Sequence, residues 1–109
     1  MKYLMTQEEF EQLIGLQPVP EGTTIPAFTV IYFTATWCGA CQRLNLPALE
    51  EALPEVNWLK CDVDQNNYTP GYCKIYSIPT FLIVKNKKVV DTLKSTSNEK
   101  VEEWVRSHM

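Results

Sequence analysis

A chain of 109 residues, 45% apolar and 21% charged, has the length and balance of one globular domain spanning 1–109. A net charge of −3 argues against a nucleic-acid binder, a class that usually carries a basic face. No apolar run approaches the ~20 residues of a membrane span, so neither nucleic acid nor membrane is an expected partner.

The opening "MKYLMTQEEFEQL" lacks the uninterrupted apolar stretch of a secretory signal, and Glu8 and Glu9 sit where one would be. This points to a cytoplasmic, reducing location. There, the four cysteines read as thiols, redox groups or metal ligands rather than structural bridges. "KYLM" (2–5) is a short candidate strand. "TQEEFEQLIG" reads as a helix with Thr6 as its cap, Glu9 completing a capping box, Phe10, Leu13 and Ile14 inward and Gly15 as the stop. "LQPVPEGTTIP" is a loop. "AFTVIYF" (27–33) suits a strand buried on both faces. A helix is predicted from about Gly39 to Leu53, with Leu44, Leu49, Ala52 and Leu53 inward and a kink at Pro47. "VNWLKCDVD" (56–64) is the next strand, a short helix ends "QNNYTPGYCKIY", and "TFLIV" (80–84) and "VVDTLK" (89–94) form a hairpin around "KNKK". Lys85, Lys87 and Lys88 read as its solvated tip. A helix capped by Ser97 or Asn98 closes the chain, with Val101, Trp104 and Val105 at helical spacing. The class is α/β: a central mixed sheet of four to five strands flanked by about four helices.

The chemistry concentrates in "TATWCGACQRL", Thr34 to Leu44. If Cys38 caps a helix and Cys41 lies one turn in, they share a face ~5–6 Å apart. A disulfide needs Cα atoms ~4.4–6.8 Å apart, so the pair can close and open with little backbone movement. The helix start would favour thiolate at Cys38, while Cys41 points toward the sheet and should be less exposed. An outer nucleophile with an inner resolving thiol suits exchange through a mixed disulfide. A low pKa alone explains little of it. Lowering a thiol from ~8.5 to ~7 raises the thiolate fraction at pH 7 about 16-fold. A Brønsted slope of ~0.45 costs about 5-fold in nucleophilicity, leaving a net gain of about 3-fold. The rest must come from holding the substrate disulfide in line. Two other readings stay open on the residues alone. Half a zinc site would need two more ligands, and Cys61, Cys73 and His108 are not spaced as a second pair. Both thiols could also be small core side chains.

"WCGAC" after a buried strand, with "IPT" about forty residues later, "KCDVDQN" at 60–66 and "IPTFLIVKNKKVV", closely resembles the thioredoxin family over most of the chain. The resemblance implies disulfide reduction in partner proteins, with Cys38 attacking and Cys41 resolving. It implies a docking surface that includes Trp37, Gly39 and Ala40. It makes Pro79 a cis-proline facing the cysteines, beside which the backbone of Ile78 can pair with an extended substrate segment. No bound cofactor is implied beyond a redox-active Cys38–Cys41 disulfide. The implied partners are disulfide-containing client proteins and a separate, NADPH-linked reductase. A monomer is expected, with a Cys73-linked dimer as an alternative.

Several positions depart from the family pattern. Ala40 replaces a proline between the cysteines. Tyr32 replaces a buried aspartate that handles the resolving thiol's proton, and a hydroxyl with pKa ~10 is about 0.1% ionised at pH 7. Lys60, that aspartate's usual partner, is retained. It either favours thiolate at Cys41 through Tyr32 or water, or is a surface lysine at a strand end. Thr34 replaces a tryptophan, and Ser95 stands where a docking-loop glycine is usual. Elsewhere, Cys61 reads as a small core residue and Cys73 as an inert or regulatory thiol on the short helix. Asp62 and Asp64, two apart on one strand face like a carboxylate pair, read as a solvated strand end or helix cap since no sugar-cleaving or metal context surrounds them, and His108 as a frayed terminal residue without a catalytic role. A disulfide oxidant or isomerase, or a binding module with incidental cysteines, remain the alternatives to a reductase.

Overall fold

The computed structural model describes all 109 residues. Five strands form one mixed sheet in the order β1-β3-β2-β4-β5: β1 Lys2–Tyr3, β2 Phe28–Thr34, β3 Asn57–Asp62, β4 Thr80–Lys85 and β5 Lys88–Lys94. β1 and β2 run parallel to β3, while β4 runs antiparallel to both β2 and β5. The helices are α1 Gln7–Leu13, α2 Leu46–Ala52, α3 Tyr68–Tyr72 and α4 Asn98–His108.

Strand alternation divides the core in two. On one face, Val30, Tyr32, Phe81 and Ile83 pack under Leu49 and Leu53 beside α2 and Val101 and Val105 of α4. On the other, Ile31, Phe33, Leu82 and Val84 pack under Phe10 and Leu13 of α1, with Cys61 among them. β2 is sandwiched between β3 and β4 and buried on both faces, which is why it reads as an unbroken apolar run. The Asn86 and Lys87 φ angles of 51° and 68° make the two-residue turn that joins β4 to β5 with the twist a hairpin needs.

Four expectations need correction. The single kinked helix over 39–53 is instead a 3-10 turn at Ala40–Arg43, an extended break at Leu44 and Asn45, and then α2. Pro47 lies in the first turn of α2, where its missing N–H costs nothing, so it starts a helix rather than bending one. Asn45 supplies the cap, its side-chain oxygen accepting from the Ala48 N–H at 3.1 Å. Second, β3 ends at Asp62, so Asp62 and Asp64 do not share a strand face; the Asp62 carboxylate accepts from the Asp64 N–H at 2.9 Å within the turn. Third, Lys85 is not part of a solvated tip, because its ammonium donates to the His108 carbonyl at 2.8 Å. Fourth, His108 is not frayed: it is the last residue of α4, and its Nε2 lies 2.9 Å from Asp91 Oδ2.

Thr6 caps α1 as expected, accepting from the Glu9 N–H at 3.2 Å and donating its hydroxyl to the Glu9 carboxylate at 3.3 Å. Gly15 follows at φ 78°, the left-handed stop that glycine allows. Ser97, rather than Asn98, caps α4 by accepting from the Lys100 N–H.

Candidate active site

β2 ends at Thr34 and delivers the chain to a turn in which the Cys38 N–H donates to the Ala35 carbonyl at 3.1 Å. Bonds from Gln42 to Gly39 and from Leu44 to Cys41 wind the next residues into the tight 3-10 form. This places the Cα atoms of Cys38 and Cys41 5.3 Å apart, and the two sulfurs form a disulfide.

The inequality between the thiols does not lie where the sequence put it. Cys38 is 5% exposed and Cys41 7%, so Cys38 is no more open than its mate. Both sit in the apolar cluster under α2 and α4. A four-residue 3-10 turn also carries little of a long helix's macrodipole, since few peptide units align in it. What separates the sulfurs is one hydrogen bond: the Cys41 N–H donates to Cys38 Sγ at 3.1 Å. That donor favours charge on Cys38 specifically.

The surroundings of the disulfide combine a backbone segment with unpaired polar groups and a groove. The Ile78–Pro79 bond is cis, as the family resemblance implied for Pro79. Ile78 precedes β4, and neither its N–H nor its carbonyl enters a backbone hydrogen bond within the chain, so both are free to pair with an extended segment. Beside it lies a groove of about 330 Å³, floored by Val63, Pro70, Ile75 and Ile78 and walled by Trp37 and Tyr76. The Trp37 indole N–H donates to Asp64 Oδ2 at 2.8 Å. The sequence reading named Asp64 but missed this contact: a carboxylate just past a strand end gives no local sign that it accepts from an indole. Gly39 and Ala40 are exposed at the 3-10 turn. Ser95 is half-buried at the end of β5, its hydroxyl accepting from the Ser97 N–H at 3.0 Å.

Tyr32 and Lys60 are register partners on adjacent strands. Tyr32 is buried and stacked on Phe81 at 4.9 Å, and burial pushes its hydroxyl further above the ordinary tyrosine value. The Lys60 ammonium lies over the Tyr3 ring at 5.5 Å, toward the sheet edge. Cys61 is fully buried and its thiol is pushed up to about 12 by burial first, then by Cys73 and Asp62. Burial pushes Cys73 up to about 11. Neither is a ready nucleophile. No three His, Cys, Asp or Glu side chains gather as a metal-binding group, and no helix is long and apolar enough to cross a membrane.

The thioredoxin family model matches residues 4–107. This chain belongs to the thioredoxin family. A thioredoxin of Geodia cydonium is 35% identical over 101 residues, covering 91% of this chain and 89% of that one. The thioredoxin structure of Fasciola hepatica superposes with a TM-score of 0.83 at 32% identity, covering both chains fully. A structure concerning thiol resolution in a yeast mitochondrial 1-Cys peroxiredoxin, via glutathione and thioredoxin systems, matches at a TM-score of 0.84 and 27% identity. It covers 98% of this chain and 94% of that one. With the Cys38–Cys41 pair at bonding distance, this thioredoxin is a thiol–disulfide oxidoreductase of the disulfide-reductase kind.

Proposed function

We propose that Cys38 is the attacking thiolate and Cys41 the resolving thiol in the reduction of client-protein disulfides. The Cys41 N–H on Cys38 Sγ carries the assignment. The Cys38 thiolate attacks one client sulfur, forming a mixed disulfide and expelling the other client sulfur as a thiolate. Cys41, deprotonated, then attacks Cys38 Sγ, closing the Cys38–Cys41 disulfide and releasing the second client sulfur. Two electrons pass to the client, which takes up two protons.

Trp37, Gly39, Ala40 and Ile78 bear on the client, and Ser95 shapes the adjoining loop. Tyr32 and Lys60 serve as packing rather than proton-handling groups: one is a buried, weakly acidic hydroxyl, and the other's charge is directed at Tyr3. Peroxiredoxin-type thiol peroxidases are reasonable clients, given the yeast relative. A separate, NADPH-linked reductase returns the disulfide to dithiol, since the sequence holds no glycine-rich nucleotide fingerprint. The protein works as a monomer in the cytoplasm. Insulin-disulfide reduction with dithiothreitol tests the assignment: the native protein accelerates it, and Cys38→Ser abolishes the acceleration. Acceleration retained in Cys38→Ser would refute the reading.

A further inference from the structure

Cys41 must lose its proton before it attacks Cys38 Sγ, and the side chains around it are poor acceptors. It is 7% exposed and packed in the apolar cluster under α2 and α4. Beside α2 and on α4, that cluster takes Leu49, Leu53, Val101 and Val105, and β4 gives it Phe81 and Ile83. β2 contributes Tyr32, a hydroxyl that burial pushes further above the ordinary tyrosine value. On β3, Lys60 and Asp62 alternate with Cys61 and so share the sheet face of Trp58, the face of this cluster. Lys60 is an ammonium over the Tyr3 ring and has no lone pair to offer. Asp62 holds the Asp64 N–H on its Oδ1, and carboxylates as a class are roughly 4–5 pKa units less basic than thiolates. Arg43 and Glu51 are exposed, and Glu50 is bonded to the Met1 ammonium. The one imidazole, His108, is held by Asp91 at the last turn of α4, whereas the first turn of that helix is the end that meets Asn45.

We propose that the client itself supplies the base: the thiolate expelled in the first exchange takes the Cys41 proton before it departs. This rests on the reductase reading above. The Cys38 thiolate bonds to one client sulfur, and the other leaves with the electron pair of the broken bond. That thiolate takes the Cys41 proton and becomes a thiol. Cys41, now a thiolate, attacks Cys38 Sγ, and the second client sulfur leaves as a thiolate that solvent protonates. Position favours this acceptor. In-line attack places the departing sulfur two S–S lengths, about 4 Å, from Cys38 Sγ. Cys41 bonds that same Cys38 sulfur from a Cα only 5.3 Å away, so donor and acceptor are both neighbours of one atom. Basicity favours it too, because a proton passes most readily between groups of matched pKa, and both are thiols. The consequence is a selectivity. Clients whose departing cysteine has an ordinary pKa of ~8.5 are resolved quickly. Clients whose departing thiolate is strongly stabilised leave Cys41 protonated and dwell as mixed disulfides.

The test uses one single-cysteine peptide prepared as two disulfides, one to mercaptoethanol and one to thionitrobenzoate, an aryl thiol whose thiolate is far less basic. Both give the same peptide adduct on Cys38 and differ only in the thiolate released beside it. Reduced native protein is mixed with each in a single turnover at pH 6, where an ordinary thiol is ~0.3% ionised. Acid quench and mass measurement follow the adduct. It should decay about tenfold faster after mercaptoethanol release than after thionitrobenzoate release. The ratio should approach one by pH 9, where an ordinary thiol is mostly ionised unaided. Tyr32→Phe and Asp62→Asn, each checked for an unchanged melting transition, should leave the decay after mercaptoethanol release as it is in the native protein. Equal decay of the two native adducts at pH 6 would overturn the proposal. A slowing of about tenfold in either variant would overturn it in favour of that side chain as the base. Cys38→Ser tests the reductase reading separately: a peptide adduct formed by that variant would refute the reading itself, whereas equal decay in the native protein refutes only the client's part in the proton transfer.

Discussion

At the scale of single residues, reactivity is set by what each sulfur meets. Cys38 meets an N–H, whereas Cys61 meets an apolar core and the Asn66 carbonyl at 3.7 Å. In the reduced protein at pH 7.5, iodoacetamide should therefore label Cys38 well before Cys61 or Cys73, as peptide mapping would read out. Cys61 also makes a stability prediction. Its folded pKa of about 12 exceeds the ~8.5 of an unfolded thiol, so the folded state holds a proton that the unfolded state releases. Stability should fall as pH rises above ~8.5, and Cys61→Ala should flatten that fall, measured by urea midpoints between pH 8 and 10. Trp37 depends on a carboxylate for its pose. Asp64→Ala should loosen the indole and weaken client binding, raising KM more than it lowers kcat, with the folded state almost unchanged because Asp64 is exposed. Much of the residue chemistry was legible. The Trp-Cys-Gly-Ala-Cys run announced a redox pair, and the burial of Cys61 followed from its strand. The Asp64–Trp37 bond was not legible, because it joins two turns separated by 27 positions.

At the scale of elements, the segment after Cys41 shows where local reading fails. Leu44, Leu49 and Leu53 are buried as their spacing predicted, yet one helix becomes a 3-10 turn and α2. The cause is distant in sequence. Asn98, at the start of α4, accepts from the Asn45 N–H at 2.9 Å and donates to the Asn45 carbonyl at 2.7 Å, holding the break open. The Asn45 N–H is then unavailable to a helix continuing from Cys41, while its carbonyl still accepts from the Leu49 N–H at 3.3 Å as α2 begins. Asn45→Ala removes the α2 cap and should cost about 1 kcal/mol of stability. Measured by denaturant unfolding, a loss near zero would contradict the capping role. Cap and stop signals that act within four residues, such as Thr6 and Gly15, were readable; this break required a partner 53 residues away.

Across the whole molecule, the order of strands follows from their apolar patterns: β2 is apolar on both faces and central, while β5 alternates and forms an edge. The sheet and helix inventory was therefore predictable from periodicity. The clamp that closes α4 onto β5 was not, because His108 and Trp104 converge on Asp91 only once the helix has docked. Asp91 is held below the usual carboxylate range, first by the Trp104 indole and then by His108. A depressed carboxylate stabilises the folded state above its unfolded pKa of ~3.9, and that contribution disappears as pH falls through the folded value. Asp91→Asn should therefore shrink the stability difference between pH 6 and pH 3, and an unchanged difference in urea midpoints would contradict the clamp. The side chain is partly solvated, so the effect should be modest.

The central claim is that the two cysteines divide their labour, and trapping tests it most directly. Cys41→Ser, mixed with a disulfide-bearing client, should accumulate a stable mixed disulfide that peptide mapping places on Cys38, while Cys38→Ser should accumulate almost none. Equal trapping through either cysteine, or adducts that form on Cys41 first, would contradict the account.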